Sequence, residues 1–352
     1  MTANTASRTQ NRPPTSKDVA ALAGVSQSTV SFVINGKYNV SESTRRKVQE
    51  AMRKLNYQPN AGARTLRTNK TNIISLFVEI HESLDANETT PYIDTIVAQA
   101  RKHDYDVILS TTNEGSAGIN RLAGKSICDA FILMDVQPDD ERIPAAAALN
   151  MPVVLIGRPN DAMGLDVVDF DTREAARMAV RELAETGHRH VAIVGDAMVA
   201  SQQGYKFVED FYAGAADEAS RSGLELSIVP RITGDWASFA ATADQLLAHR
   251  DDRLGIIVRQ PRMTEWVLRL LDQRRIVPGK DVSLIAHCAD LAAKSFPYPV
   301  TNISTLPEQL STAATDILFT RLEGDRSPAH TQLVRPAEVT RRATTVDWNT
   351  RD

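Results

Sequence analysis

The sequence predicts an N-terminal all-α helix-turn-helix headpiece followed by an α/β core of two Rossmann-like subdomains. Three observations predict this. Basic charge is concentrated in the first 70 residues. A helix–glycine–helix spacing lies inside that basic stretch. The roughly 280 residues that follow alternate short apolar runs with amphipathic stretches.

A chain of 352 residues has room for two or three domains of roughly 150 residues each. Its 42% hydrophobic and 24% charged residues suit a globular protein, and 5% aromatics imply aliphatic cores. Two distant cysteines, Cys128 and Cys288, exclude a disulfide-stapled scaffold and cannot alone make a structural zinc site. No apolar run approaches the ~18 residues of a membrane span. The polar start, MTANTASRTQNRPPTSKD, lacks the apolar centre of a secretory signal, so a cytoplasmic protein is expected.

The net charge of -4 is the sum of two unlike parts. Residues 1–70 carry 12 Lys and Arg against Asp18, Glu42 and Glu50, a net +9; the remainder holds 28 basic and 41 acidic residues, a net −13. A basic head on an acidic body suggests nucleic-acid contact by the head, with a solvated basic surface as the alternative.

Residues 1–14 read as a disordered tail ending in Pro13-Pro14, and residues 15–58 as a three-helix unit. Thr15 caps the first helix, Asp18 lies near its positive end, and Gly24 stops it. Ser26 caps a second helix, Gln27 to Ile34, which Asn35-Gly36 ends. Ala20 sits four residues before Gly24 and Val30 six after it. The small residue permits close helix contact, the glycine supplies a left-handed turn, and the valine plugs the angle between helices. Ser41 caps a third helix with Val48, Met52 and Leu55 on one face and Arg45, Arg46, Lys47, Arg53 and Lys54 on the others. Gln27, Ser28 and Phe32 project from the second helix away from Val30 and Ile34.

The ordered motifs Lys17-Asp18-Val19-Ala20, Ala23-Gly24-Val25-Ser26, Thr29-Val30-Ser31 and Ile34-Asn35-Gly36 resemble the headpiece of the lactose/galactose repressor (LacI/GalR) family. Val40-Ser41, Thr44-Arg45, Tyr57-x-Pro59-Asn60 and Ala63-Arg64-x-Leu66 continue the resemblance. It implies DNA contacts from Ser16, Gln27, Ser28, Thr29, Ser31, Phe32, Asn35, Arg45, Asn60, Ala63, Arg64 and Leu66. Gln27 can pair bidentately with adenine. Phe32 stands where a basic or polar residue is usual. It either meets a thymine methyl or packs on the third helix. Residues 59–70 resemble the family's hinge helix, which alone should be marginal. Two such helices would pair in a homodimer on DNA, each wedging Leu66 between base pairs in the minor groove; a linker residue packing on the core is the alternative.

Residues 71–352 form the expected core. Strands are read at 73–78, 107–110, 129–134, 152–156, 167–170, 191–194, 225–229, 255–258 and 282–286. Helices are read at 92–103, 172–186, 207–222, 239–249, 265–273 and 307–322. Such alternation implies parallel sheets covered by helices. Pro152-Val153-Val154-Leu155-Ile156, Gly187-His188-Arg189, Pro278-x-x-Asp281-Val282-Ser283 and Arg342-x-Thr344 resemble the family's periplasmic-binding-protein-like core. The resemblance implies three crossings, placed near 168, 298 and 330. The N-subdomain then spans about 71–168 and 299–329, and the C-subdomain about 169–298 and 330–352. A small-molecule effector would bind between them.

At the family's ligand-contacting positions this chain differs. Phe211 falls where an arginine is usual, Gln260-Pro261 replaces Asn-Asp, and Ala286-His287-Cys288-Ala289 replaces Gly-aromatic-Asp-Asp. Tyr92, Arg158, Phe211, Trp236, Gln260 and His287 are the candidate effector contacts. The loss of the usual charged partners disfavours a sugar-like effector, so either the effector is a different small molecule or the pocket has lost effector control and answers to a partner. His188-x-His190 is a weak metal signal, and no phosphate-cradling loop or nucleophile elbow is present. The expectation is a non-enzymatic, nucleoid-associated bacterial repressor without cofactor or metal. It would act as a homodimer on a pseudo-palindromic double-stranded operator. A solute-binding receptor, which shares the core fold, is the rival from another class.

Overall fold

The computed structural model describes residues 12–34, 40–58, 70–79, 86–195, 204–229 and 235–350. The chain divides into two compact units, residues 1–71 and 72–352. The expected tail up to residue 11 and the hinge at 59–69 lie outside the described residues, as do Asn35, Asn60, Ala63, Arg64 and Leu66.

The first unit contains α1 (Ser16–Ala23), α2 (Gln27–Ile34) and α3 (Glu42–Lys54). Asp18 accepts hydrogen bonds at 2.7 Å from both the backbone nitrogen and the hydroxyl of Thr15, which fixes the start of α1. Gly24 ends it at φ 67°, a conformation glycine adopts without strain. Ser26 and Ser41 accept from the backbone nitrogens of Thr29 and Thr44, capping α2 and α3. Val19, Ala20, Val30, Val33, Val48 and Ala51 make the shared core, with Met52, Leu55 and Tyr57 against it. The Ala20–Gly24–Val30 spacing thus yields the helix-turn-helix that it predicts.

The second unit holds two parallel sheets. In chain order the first half runs β1 (Ile73–Phe77), α4 (Ala86–Lys102), β2 (Asp106–Ser110), α5 (Gly115–Gly124), β3 (Ala130–Leu133), α6 (Arg142–Ala147), β4 (Val153–Ile156) and β5 (Asp166–Phe170). It continues with α7 (Thr172–Glu185), β6 (His190–Val194), α8 (Lys206–Ser222), β7 (Glu225–Ile228), α9 (Trp236–Ala240), α10 (Ala243–Leu246), β8 (Leu254–Val258) and α11 (Pro261–Gln273). The end comprises β9 (Ser283–His287), α12 (Asp290–Ser295), β10 (Thr301–Ile303), α13 (Pro307–Leu322) and β11 (Thr331–Val334). The sheet orders are β11-β5-β4-β3-β1-β2 and β10-β9-β8-β6-β7.

These pairings correct the expected crossings. β10 pairs with β9, so residues 301–303 belong to the second sheet. β11 pairs with β5, so residues 331–334 belong to the first. The chain therefore crosses after Phe170, at Ser304–Leu306 and after Val334, the second and third crossings lying later than 298 and 330. Leu306 takes φ 51° at the second crossing, just ahead of the Pro307 that starts α13. The predicted helix at 239–249 is broken into α9 and α10, where the Thr242 hydroxyl donates to the Phe239 carbonyl at 2.7 Å. α11 begins at Pro261, earlier than predicted, because proline fits the first helical position.

The resembling motifs have local physical roles. Thr344 receives the Thr301 amide and donates to the Leu284 carbonyl, stitching the C-terminal segment to the second sheet. His188 donates through Nδ1 to the Leu183 carbonyl at 2.9 Å. Burial pushes its pKa down to about 4. α7 and α8 touch closely at Gly214, where a Cβ would lie 2.2 Å from the Arg173 carbonyl oxygen.

α13 returns to the first sheet and is tied there by a buried, two-point ion pair. Arg321 Nε and Nη2 reach the Asp166 carboxylate at 2.8 and 2.9 Å. Removing one partner of such a pair strands the other charge. Arg321→Met should therefore lower the unfolding free energy of the core by about 3 kcal/mol in urea titration. An unchanged midpoint would show that the pair contributes nothing net.

Candidate functional site

The headpiece presents a reading face on α2. Val30 and Val33 point into the core, while Gln27, Ser28 and Phe32 are exposed, Phe32 by 42%. Phe32 lies outside the buried cluster of the headpiece. Gln27 donates its amide to the Ser16 hydroxyl at 2.8 Å, which joins the start of α1 to the start of α2. Ser28 and Thr29 both share hydrogen bonds with the Ser26 hydroxyl. Ser31 and Arg45 are half-buried.

The charge on this unit is unevenly compensated. Asp18 pairs with Arg12, Glu42 with Arg46 and Glu50 with Lys54. Each acid of the headpiece is thereby engaged. Among the described residues Lys17, Arg45, Lys47 and Arg53 are left without an ion pair inside the headpiece.

The core places a second set of groups at the carboxyl ends of both sheets. On the first, a pocket of roughly 270 Å³ is lined by Phe77, Glu79, Asn113, Asp135, Gln137 and neighbouring residues beyond β1, β2 and β3. On the second, Arg259 follows β8 and His287 ends β9. Arg259 is 5% exposed and lies over the Phe211 ring at 4.8 Å and the Phe207 ring at 5.4 Å. His287 sits between Phe170 and Phe211, at 5.6 and 5.5 Å between centroids. Burial first, then Arg259, pushes its pKa down to about 3, so the ring is neutral. Its Nε2 is buried without a hydrogen-bond partner among the described residues. Burial first, then the Asp135 and Glu79 carboxylates, raises the Tyr205 hydroxyl to about 12.

Polar bridges link the halves, among them Asn87 Nδ2 to Ser295 Oγ at 3.4 Å. Arg158, after β4, pairs with Asp210 on α8 and lies 3.5 Å from Asp169 on β5. Glu88, in the first turn of α4, accepts from the Ala289 amide at 2.7 Å and the Thr305 hydroxyl at 2.6 Å. Burial, only partly offset by Arg158, pushes the Asp169 carboxyl up to about 6.

The candidate effector residues therefore separate. Tyr92 lies near Glu88 and Asp135, and burial followed by those carboxylates raises its pKa. Arg158 is committed to the bridge. Phe211 is fully buried and supports Arg259 and His287 from behind. Trp236 belongs to a different aromatic group with Phe239 and Trp266, under Arg269 at 4.2 Å. Gln260 caps α11 through its carbonyl, which accepts from the Thr264 amide. Sequence reasoning missed Arg259, Asp169 and Asp210. Arg259 could have been found as the residue directly after a fully apolar parallel strand, where ligands of such sheets bind.

This combination of reading head and two-sheet core defines a ligand-responsive DNA-binding protein. Residues 15–60 match the family described as bacterial regulatory proteins, lacI family. Residues 84–237 match the periplasmic binding proteins and sugar binding domain of the LacI family, and residues 180–345 a periplasmic binding protein-like domain. The HTH-type transcriptional regulator CelR of Thermobifida fusca is 30% identical over 337 residues, covering 90% of this chain and 94% of its own. The repressor PurR of Edwardsiella ictaluri is 29% identical, covering 94% and 96%. Among solved structures, a lac repressor dimer bound to operator and the anti-inducer ONPF has TM-score 0.77 at 22% identity, over 95% of this chain and 100% of that one. A CelR–cellobiose complex has TM-score 0.64 at 24% identity, covering 94% and 99%. The chain belongs to the LacI family and is a DNA-binding transcriptional regulator with an effector-binding type of core. No helix among the described residues is long and apolar enough to cross a membrane.

The raised Asp169 pKa has a consequence for stability. Its folded value of about 6 exceeds the 3.8 of an unperturbed aspartate, so ionisation opposes folding, in full above pH 6. The penalty fades as pH falls through the window from 6 to 3.8. Asp169→Asn should stabilise the core by about 1–3 kcal/mol at pH 7.5 and by almost nothing near pH 4. Denaturant titrations at both pH values check this. Destabilisation at pH 7.5 would mean that attraction to Arg158 outweighs burial.

Proposed function

We propose that this regulator is a homodimeric repressor that reads a pseudo-palindromic operator with α2 and is controlled by a small molecule held between the two sheets. The observation that carries the reading is the face of α2, where Gln27, Ser28 and Phe32 stand exposed while Val30 and Val33 anchor the helix. A helix fixed from one side with a polar and apolar opposite side suits insertion into the major groove. Lys17, Arg45, Lys47 and Arg53 supply phosphate attraction around it. Asn35, Asn60, Ala63, Arg64 and Leu66 extend the contact surface by family resemblance.

The effector is a neutral, polyhydroxylated compound. Glu79 and Asp135 offer charged acceptors for hydroxyls, Arg259 offers a charged donor, and the unpaired His287 Nε2 lacks a partner that a hydroxyl supplies. Tyr92 and Tyr205 add amphipathic surface. CelR is solved with cellobiose, a compound of this class. The Arg and acids absent from the usual sequence positions are thus replaced from neighbouring ones, which favours effector control over a degenerate pocket. The protein acts by binding rather than by catalysis, in the cytoplasm on chromosomal DNA.

The test is operator binding by full-length Gln27→Ala and Phe32→Ala against a set of single-base operator variants. Each substitution should cost about 1–3 kcal/mol on the preferred site and flatten discrimination at one base pair in each half-site. Equal loss on every sequence would refute base readout by that residue.

A further inference from the structure

The end of the second sheet opposite the cleft carries its own cluster of ligating side chains. His190 opens β6, Glu225 opens β7, and His249 and Asp252 lie on the segment leading into β8. Parallel pairing sets His190 beside Glu225 on one flank and beside Leu254 on the other, which gathers residues distant in sequence at one corner. One ligand atom from each of His190, Glu225 and His249 lies within 4.8 Å of the other two. The two imidazoles are stacked, with centroids 3.9 Å apart and planes 7° from parallel.

His190 is the centre of the group. Its Nε2 lies 2.9 Å from Asp252 Oδ2. A carboxylate only accepts, so Nε2 carries the hydrogen and Nδ1 of the neutral ring presents a lone pair. Nδ1 is buried and has no hydrogen-bond partner among the described residues, yet it faces Glu225 Oε2 at 3.2 Å. His249 Nε2 approaches the other oxygen of the same carboxylate at 3.8 Å. A lone pair held against a carboxylate needs a positive charge between them, either a second proton or a metal ion. The Nδ1–Oε2 contact lacks the directional geometry of a hydrogen bond, which counts against the proton.

We propose that His190, Glu225 and His249 form a site for a divalent transition-metal ion of the zinc type. Asp252 fixes the orientation of His190 through the nitrogen that does not ligate. Two imidazoles and a carboxylate are donors that suit zinc, and a carboxylate on the far ring nitrogen is the usual support of a metal-bound histidine. Glu225 and His249 are 66% and 41% exposed, so Glu225 has room to draw in and the His249 ring to turn out of its stack on His190, edge towards the ion, as metal–ligand distances of about 2.0–2.2 Å require. His188, the other member of the His-x-His pair, takes no part, because its ring is bound to the Leu183 carbonyl. The ion fastens the starts of β6 and β7 to the segment before β8. It acts on the stability of the second subdomain, at the opposite end of the sheet from the cleft.

The experiment uses the full-length chain without a polyhistidine tag, stripped with chelator and titrated with Zn²⁺ at pH 7.5. Co²⁺ serves as a spectroscopic probe of coordination. Wild type, His249→Ala and Glu225→Gln are compared, since both changes fall on partly exposed side chains. The expected result is one ion per chain, a raised melting temperature on adding Zn²⁺, and a tetrahedral Co²⁺ spectrum. Both variants should melt like the metal-free wild type and bind at least tenfold more weakly. Asp252→Asn should also weaken binding by roughly tenfold or more. Absence of stoichiometric binding overturns the proposal, as does equal affinity in the variants. A stability that follows pH through the histidine range without response to metal also overturns it, because the charge between Nδ1 and Glu225 is then a proton.

Discussion

The regulator depends on one continuous apolar cluster, holding Ile74, Val154 and Phe170 of the first half and Ile193, Phe211 and Ile285 of the second, which joins its half-cores across the cleft. Arg158 spans it to Asp210, and Glu88 spans it to the Ala289 amide and the Thr305 hydroxyl. Arg158 is 44% exposed and Asp210 31%, so water screens their attraction, which is worth no more than about 1 kcal/mol. Beyond that shared cluster, each half also has a buried core of its own. A ligand between the halves can shift their arrangement only by its differential affinity for two arrangements. Asp169 sits beside Arg158 in a site that disfavours its own charge, which keeps that bridge from dominating.

Electrostatics separates the two units in the same spirit. The acids of the headpiece are each engaged by one local cation, and Lys17 on α1 and Arg45, Lys47 and Arg53 on α3 are left over among the described residues. Affinity for DNA should accordingly fall steeply with salt, through release of counterions from the phosphates. The acidic core, with a net charge of −13, adds no such attraction.

Much of this was legible in the sequence where the determinants are local. Ala20, Gly24 and Val30 specify the turn between α1 and α2 within a dozen residues. The apolar runs of β1, β4, β6 and β8 announce buried parallel strands. β10 and β11 were missed because they are three- and four-residue edge strands, TNI and TQLV, with too little apolar pattern to register. The crossings moved with them. α5 was missed because glycines at 115, 118 and 124 argue against a helix that its burial of Ile119 and Leu122 nevertheless secures. Contacts assembled across long separations were out of reach. Arg158 meets Asp210 from 52 residues away. His190 pairs with Asp252 across 62 residues, whereas spacing alone had joined it to His188.

The central claim is that occupancy of the cleft changes the hold of the headpiece on DNA. It is tested most directly by measuring the operator affinity of the full-length chain, by fluorescence anisotropy at fixed salt. A panel of neutral sugars and polyols is compared with nucleobases and amino acids as controls. The account predicts that at least one polyhydroxylated compound shifts the dissociation constant by about fivefold or more, and that Arg259→Met abolishes the shift while leaving ligand-free affinity intact. A compound that binds the core yet leaves operator affinity unchanged would contradict it, as would a panel with no response at all.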